Sequence, residues 1–382
     1  MTIYEDKNEF LTFLTPALVS FGAALFLGVL QIVVIIALFA ILMRFNEFTD
    51  PLYEPIWNLI ILFLSQILAT IIIFLWGIPW LKVKNVRQFP VNKYIFISVL
   101  FLICLTWAII IVKTVIIAIV IDFFQLETPK TAAEALLIPK EILSPITIII
   151  FFAPLIIGAP LFEELVYRRI LIPLLEERGM TTAGAVLASS IFFTLLHLPP
   201  DLLYGNMTGT ILHISSVGIL ALALGISYIK TRNIVYPILI HGVINGISAV
   251  PVVLIEGSDL AMLYEIFYLF IIVIIGILYL LYLLWSNLKD SKAINIEYVK
   301  SKISFNNEGF YGYLTISLGL LLLHTIVSIF MQVISALIIN PIALIIIFIL
   351  IRRTEYQKKR LSEYQMSQAA FMAVESNDEI EI

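Results

Sequence analysis

Runs of roughly 18 or more apolar residues recur along the whole of this 382-residue chain, and they constrain its fold more than any other feature. Each run is long enough to cross a bilayer as a helix. Ten spans are expected, at 16–43, 56–81, 94–121, 144–167, 183–199, 209–229, 234–254, 261–285, 311–331 and 335–351. The last two divide one continuous run, 310–351, at a tight turn between Gln332 and Ser335, with Asn340-Pro341 as a kink. The expected fold class is all-α, a polytopic transmembrane helical bundle. Composition agrees, with 61% hydrophobic residues, only 13% charged ones and a mean hydropathy of +1.05.

These features exclude several classes. A single cysteine, Cys104, allows neither an intramolecular disulfide nor a cysteine-based metal site. There is no Gly-rich phosphate loop, visible repeat or soluble domain, and no nucleic-acid partner is expected. The first fifteen residues carry Glu5, Asp6 and Glu9 against Lys7, and the apolar run after them is too long for a signal-peptide core. A cleavable leader is therefore not expected. Lysine and arginine counting sets the orientation. The loops and ends on one side hold 19 basic residues, whereas the other side holds Arg44, Lys130 and Lys140. Both termini are expected to be cytoplasmic, in a multi-pass plasma-membrane protein. The loop 122–143 has room for a short external amphipathic helix, and the tail 354–382, basic then acidic, is expected to be loosely ordered.

Polar residues inside the spans carry the chemistry. Glu163 and Glu164 lie in an apolar segment, where each carboxylate costs at least ~2.5 kcal/mol on insertion scales. Adjacent helical residues point ~100° apart, so the two cannot share one direction. Glu164 and Arg168 are four residues apart on one face, in the favourable acid-before-base order. That pairing leaves Glu163 to face the bundle interior as a base, while Arg169 reaches toward headgroups. The alternative is an interfacial charge cluster at a span end.

His197 follows Phe193 by one helical turn. The turn between the fourth and fifth spans is expected near Gly179-Met180, which places Glu163 and His197 nearly level in an antiparallel hairpin. A carboxylate and an imidazole at one depth suit water activation. In the seventh span, His241 and Asn245 share a face, and both can donate hydrogen bonds to an oxyanion. His241 is equally placed to join His197 and a carboxylate as a metal ligand, or to serve ordinary polar helix packing.

The three patterns, Glu163-Glu164 with Arg168, Phe193 with His197, and His241 with Asn245, resemble the CPBP family of intramembrane endopeptidases. That family includes type II CAAX prenyl endopeptidases and bacterial Abi or bacteriocin-processing proteins. The resemblance covers about residues 145–250. It implies a four-helix core, a water activated by Glu163 beside His197, an oxyanion held by His241 and Asn245, and Glu164 paired with Arg168. The cofactor stays open, none or zinc, because the family has also been described as metalloproteases and no His-Glu-x-x-His motif favours the metal. The resemblance implies a membrane protein or peptide as substrate, in the cell envelope.

The expected organisation is an N-terminal transmembrane region (1–143), the peptidase core (144–254), a C-terminal transmembrane region (255–352) and a cytoplasmic tail (353–382). Two rival functions stand beside the enzyme. One is a non-proteolytic scaffold or regulator of a cell-envelope enzyme, docking a membrane partner through the extra spans. The other is an ion-coupled transporter, which would also bury Glu and His but is expected to show a repeat. His213 and His324 are read mainly as packing residues, and Lys113 and Glu265 as a pair with each other or as cavity lining.

Overall fold

The computed structural model describes residues 2–42, 51–83, 93–130, 140–198, 205–253, 263–264, 267, 272–290, 307–330 and 338–378. Among these residues the chain is helical and has no strand. We number ten helices: α1 (Thr2–Leu42), α2 (Glu54–Leu81), α3 (Lys93–Phe123), α4 (Pro145–Glu177), α5 (Thr182–Leu196), α6 (Met207–Thr231), α7 (Val235–Val253), α8 (Val273–Asp290), α9 (Asn307–Phe330) and α10 (Asn340–Asp378). Segments of α1, α2, α3, α4 and α6 are long and apolar enough to cross a membrane, and α5, α7, α8 and α9 contain shorter apolar stretches. The protein is a multi-pass helical membrane bundle.

Local sequence explains where the helices begin and end. Ser144 opens α4 with a capping box, its side chain accepting from the Thr147 N–H while the Thr147 hydroxyl accepts from the Ser144 N–H. Thr181 caps α5 through the Gly184 N–H, and Gly179, at φ +90°, makes the turn between α4 and α5 that the sequence placed there. Lys82 and Arg232 end α2 and α6 in the left-handed conformation, at φ 52° and 50°. Each puts a cation at a helix C-terminus, where the macrodipole favours it.

Within α2 and α4 three turns are π-helical: Ile73–Gly77 in α2, and Pro154–Gly158 and Leu165–Leu171 in α4. Each ends two residues before a proline, namely Pro79, Pro160 and Pro173. A proline ring collides with the carbonyl four residues earlier. Widening the preceding turn is one way a helix absorbs that collision without breaking.

The tail departs from expectation. Helix α10 runs on through the polar residues to Asp378 instead of giving way to a loose segment. Its Glu, Lys, Arg, Gln, Met and Ala residues are good helix formers, and the exposed pair Lys359–Glu363, at 3.7 Å, sits at helical spacing. Residues 338–339 are π-helical and run into the α-helix at Asn340-Pro341, and 331–337, with Gln332 to Ser335, lie outside the described residues. In the loop before α4, the described part holds a 3₁₀ turn at Lys140–Ile142, and 131–139 lie outside the described residues.

Helix α1 packs against α2, α9 and α10; α5 packs against α6 and α9; α3 packs against α6, α7 and α8. One buried cluster joins Phe21 of α1, Leu171 of α4, Phe192 of α5 and Tyr313 of α9. A second joins Trp107 of α3, Leu224 of α6 and Ile240 of α7. Lipid is as apolar as leucine, so close approach at small residues matters more here than burial itself. A Cβ at Gly225 of α6 would lie 2.7 Å from Val186 of α5, and one at Gly276 of α8 would strike the Cys104 carbonyl of α3.

Polar contacts tie the two ends. At one end Arg232 forks onto Glu176, both hydrogen bonds 2.7 Å long, and the carboxylate holds the guanidinium pKa above its ordinary range. Arg178 meets Glu355 of α10 at 2.7 Å nearby in the chain. At the other end Asn206 caps α6 through the Gly209 N–H, accepts from the Lys130 N–H and donates to the Thr128 carbonyl.

Candidate active site

The site grows from α4. A proline at 160 has no N–H to offer the carbonyls of Leu155 and Ile156, whose α- or π-type partner it would be. Helix α7 meets both. Asn245 Nδ2 donates to the Leu155 carbonyl at 3.0 Å. Gly242 comes so close to the Ile156 carbonyl that a Cβ there would lie 2.5 Å from its oxygen. The proline-widened turn of α4 thus docks α7 and places His241 beside the glutamates.

Glu163 and Glu164 end the short α-helical stretch Ala159–Glu164, between the two π turns of α4. Glu164 and Arg168 are fully buried, and Arg168 Nη1 donates to Glu164 Oε1 at 3.1 Å, the pair expected from the four-residue spacing. Arg168 Nη2 donates to the Ala221 carbonyl of α6 at 3.2 Å, and its guanidinium lies 4.5 Å from the centre of the Phe193 ring. Glu164 Oε1 also meets His241 Nδ1 at 2.8 Å. On the other side of that imidazole, Nε2 lies 3.7 Å from Glu163 Oε2. His241 therefore stands between the two carboxylates, hydrogen-bonded to Glu164 and facing Glu163.

The ring roles follow from the partners. A carboxylate at Nδ1 keeps the His241 proton on that nitrogen. Neutral His241 then turns an Nε2 lone pair toward Glu163, and two acceptors at that separation need a donor between them. Glu164 Oε2 has no hydrogen-bond partner among the described residues.

His197 is the C-cap of α5, and its Nδ1 lies 2.9 Å from the Phe193 carbonyl. A carbonyl can only accept, so Nδ1 carries the proton and Nε2 is left as an acceptor. Tyr167 of α4 packs on Phe193 of α5, ring centres 5.3 Å apart. That antiparallel register sets Glu163 level with His197 one turn further along. Phe193 links the site's cations and imidazoles: its ring is 4.9 Å from His197 and 6.0 Å from His241, with Arg168 on its face. The His213 ring is 5.9 Å from His197.

Other polar residues separate from this group. Lys113 donates to the Leu212 carbonyl at 2.9 Å and to the Ser216 hydroxyl at 2.5 Å, both on α6. Glu265 and the His324 side chain lie outside the described residues. Arg169 is buried, contrary to the expectation that it would reach headgroups. Among the described residues no three His, Cys, Asp or Glu side chains gather as a metal-binding group.

Sequence reading passed over three parts of the site: Phe193 as more than a spacing marker, the Ala221 carbonyl that takes Arg168, and the Leu155 carbonyl that takes Asn245. Only the last had a signal in the chain, Pro160.

No curated protein and no solved structure matches the chain. A family model does match residues 145–247, from the first turn of α4 into α7, with all six candidate residues inside it. Its description is Type II CAAX prenyl endopeptidase Rce1-like. The segment 145–247 thus resembles the Rce1-like type II CAAX prenyl endopeptidases, in the CPBP family, and lies within a longer helical membrane protein.

Proposed function

We propose that this protein is an intramembrane endopeptidase that hydrolyses a peptide bond of a membrane-associated protein or peptide, with water activated by Glu163. The observation that carries the reading is His241 held between the two carboxylates, with Nδ1 on Glu164 and Nε2 3.7 Å from Glu163. A water placed there donates one hydrogen to Glu163 and the other to His241, and turns a lone pair toward a peptide carbonyl. Glu163 takes the proton as the C–O bond forms. It returns that proton to the leaving nitrogen as the C–N bond breaks.

Glu164 and Arg168 position the imidazole. Buried as they are, they hold it without competition from solvent. Asn245 spends one amide hydrogen on Leu155 and keeps the second for the developing oxyanion. His197, its Nδ1–H held by the Phe193 carbonyl, lines the site at the level of Glu163. The bilayer is the reaction's setting, and the plasma membrane with both termini cytoplasmic is the proposed location.

Glu163→Gln keeps the shape and removes the base. In native membranes the variant should accumulate uncleaved membrane peptides that wild type consumes, while still folding and binding them. Full biological function in the Glu163→Gln protein would instead support a scaffold that docks a cell-envelope partner. For the orientation, a cysteine at Glu127 should be labelled from outside and one at Tyr356 should not.

A further inference from the structure

We propose that the protein holds an anionic phospholipid in a site separate from the glutamate–histidine cluster, formed where α1, α2, α4 and α10 meet. An apolar cavity of about 750 Å³ lies between these helices, lined by Gly22 and Phe26 of α1, Trp76 of α2, Val166 and Ile170 of α4, and Phe348 of α10. A second cavity of about 940 Å³ adjoins it and shares Trp80, Leu81 and Ile351 with it. The two differ in character. The second is charged, with Lys82, Arg178, Arg352, Arg353 and Lys359 against the carboxylates of Glu177 and Glu355.

In hydrocarbon an apolar groove selects nothing, because any acyl chain fills it. Selection has to come from the polar end. Arg178 is buried there, with Nη2 on Glu355 at 2.7 Å and Nη1 without a hydrogen-bond partner among the described residues. Lys82, Arg352 and Arg353 are exposed, and the left-handed turn at Lys82 fixes where α2 ends beside them. Five cations against two carboxylates leave an excess of positive charge that a phosphate headgroup complements. At the junction, Trp80 stacks on Phe348 with ring centres 4.9 Å apart, an aromatic pair at the boundary between apolar and charged surfaces. A molecule with an apolar tail and an anionic head fits both cavities at once; a free anion fits only the second.

The test is native mass spectrometry of the full-length protein exchanged into equal amounts of phosphatidylglycerol and phosphatidylcholine of identical chains. Wild type should retain phosphatidylglycerol in preference to phosphatidylcholine. Arg352→Gln with Arg353→Gln removes two exposed cations and should lower that preference about 30-fold; Lys82→Gln, reading the same pocket from α2, should lower it about 5-fold. Inorganic phosphate at millimolar concentration should not displace the lipid. Equal retention of the two lipids, or an unchanged preference in both folded variants, would overturn the proposal. Displacement by inorganic phosphate would replace the lipid with a soluble anion.

Discussion

Replacing Arg168 by methionine tests the electrostatic core of the site. The side chain is fully buried and holds Glu164 at 3.1 Å, the Ala221 carbonyl at 3.2 Å and the face of Phe193 at 4.5 Å. Methionine matches much of its volume but leaves Glu164 with His241 as its remaining hydrogen-bond partner, and Glu164 Oε2 has none among the described residues. Breaking a buried ion pair from one side costs about 3–5 kcal/mol, because the other charge stays desolvated. The folding equilibrium should fall by roughly 10²- to 10³-fold or more. Adding Glu164→Gln removes the stranded charge while keeping an acceptor for His241. The double variant should recover about 2–3 kcal/mol of the loss, within the range that directly coupled residues show. Reversible unfolding in mixed micelles, followed by circular dichroism, gives all the corners of the cycle. A single variant costing less than about 1 kcal/mol, or a double variant no more stable than Arg168→Met, would refute the reasoning, since Glu164 would then not be a charge that Arg168 compensates.

Three further outcomes are expected. Asn245→Ala should lower cleavage by ~10²–10³ in kcat, the effect of losing one oxyanion donor, measured against a membrane peptide substrate. Gly242→Ala should destabilise the protein by about 1–3 kcal/mol through overpacking against the Ile156 carbonyl, read by thermal unfolding alongside wild type. Exhaustive chelation of purified enzyme should leave cleavage intact; activity lost to chelator and restored by zinc would replace the glutamate-water mechanism with a metal site.

Much of this arrangement was legible in the chain because the relevant spacings are short. The apolar runs marked the helices, Gly179 marked the hairpin turn, and the four-residue interval marked the Glu164–Arg168 pair. The hairpin register followed from the turn alone, because equal lengths of antiparallel helix return to equal depth. The position of His241 between the carboxylates did not follow. It depends on how α7 docks on α4, and that rests on two carbonyls whose availability shows in the sequence only as Pro160. Tail helicity does not show in the change of charge along 354–382; it rests on the helix-forming residues that carry those charges.

The proline-preceded π turns of α4 also bear on how such a helix tolerates change in length. A π turn holds one residue more than an α turn over the same hydrogen-bonded stretch, so deleting one residue from Leu165–Leu171 can return the turn to α geometry without breaking the helix. Because the shortened turn still closes one revolution, the two halves would keep nearly the same phase, whereas the same deletion in a plain α stretch would turn them by ~100° relative to each other. With the residue removed after Arg168, Glu176, clamped to Arg232, and Glu163, facing His241, could then both keep their partners. The widened turn is therefore a length buffer: a one-residue deletion there should spare the site, and one in a plain α stretch between the two glutamates should silence it.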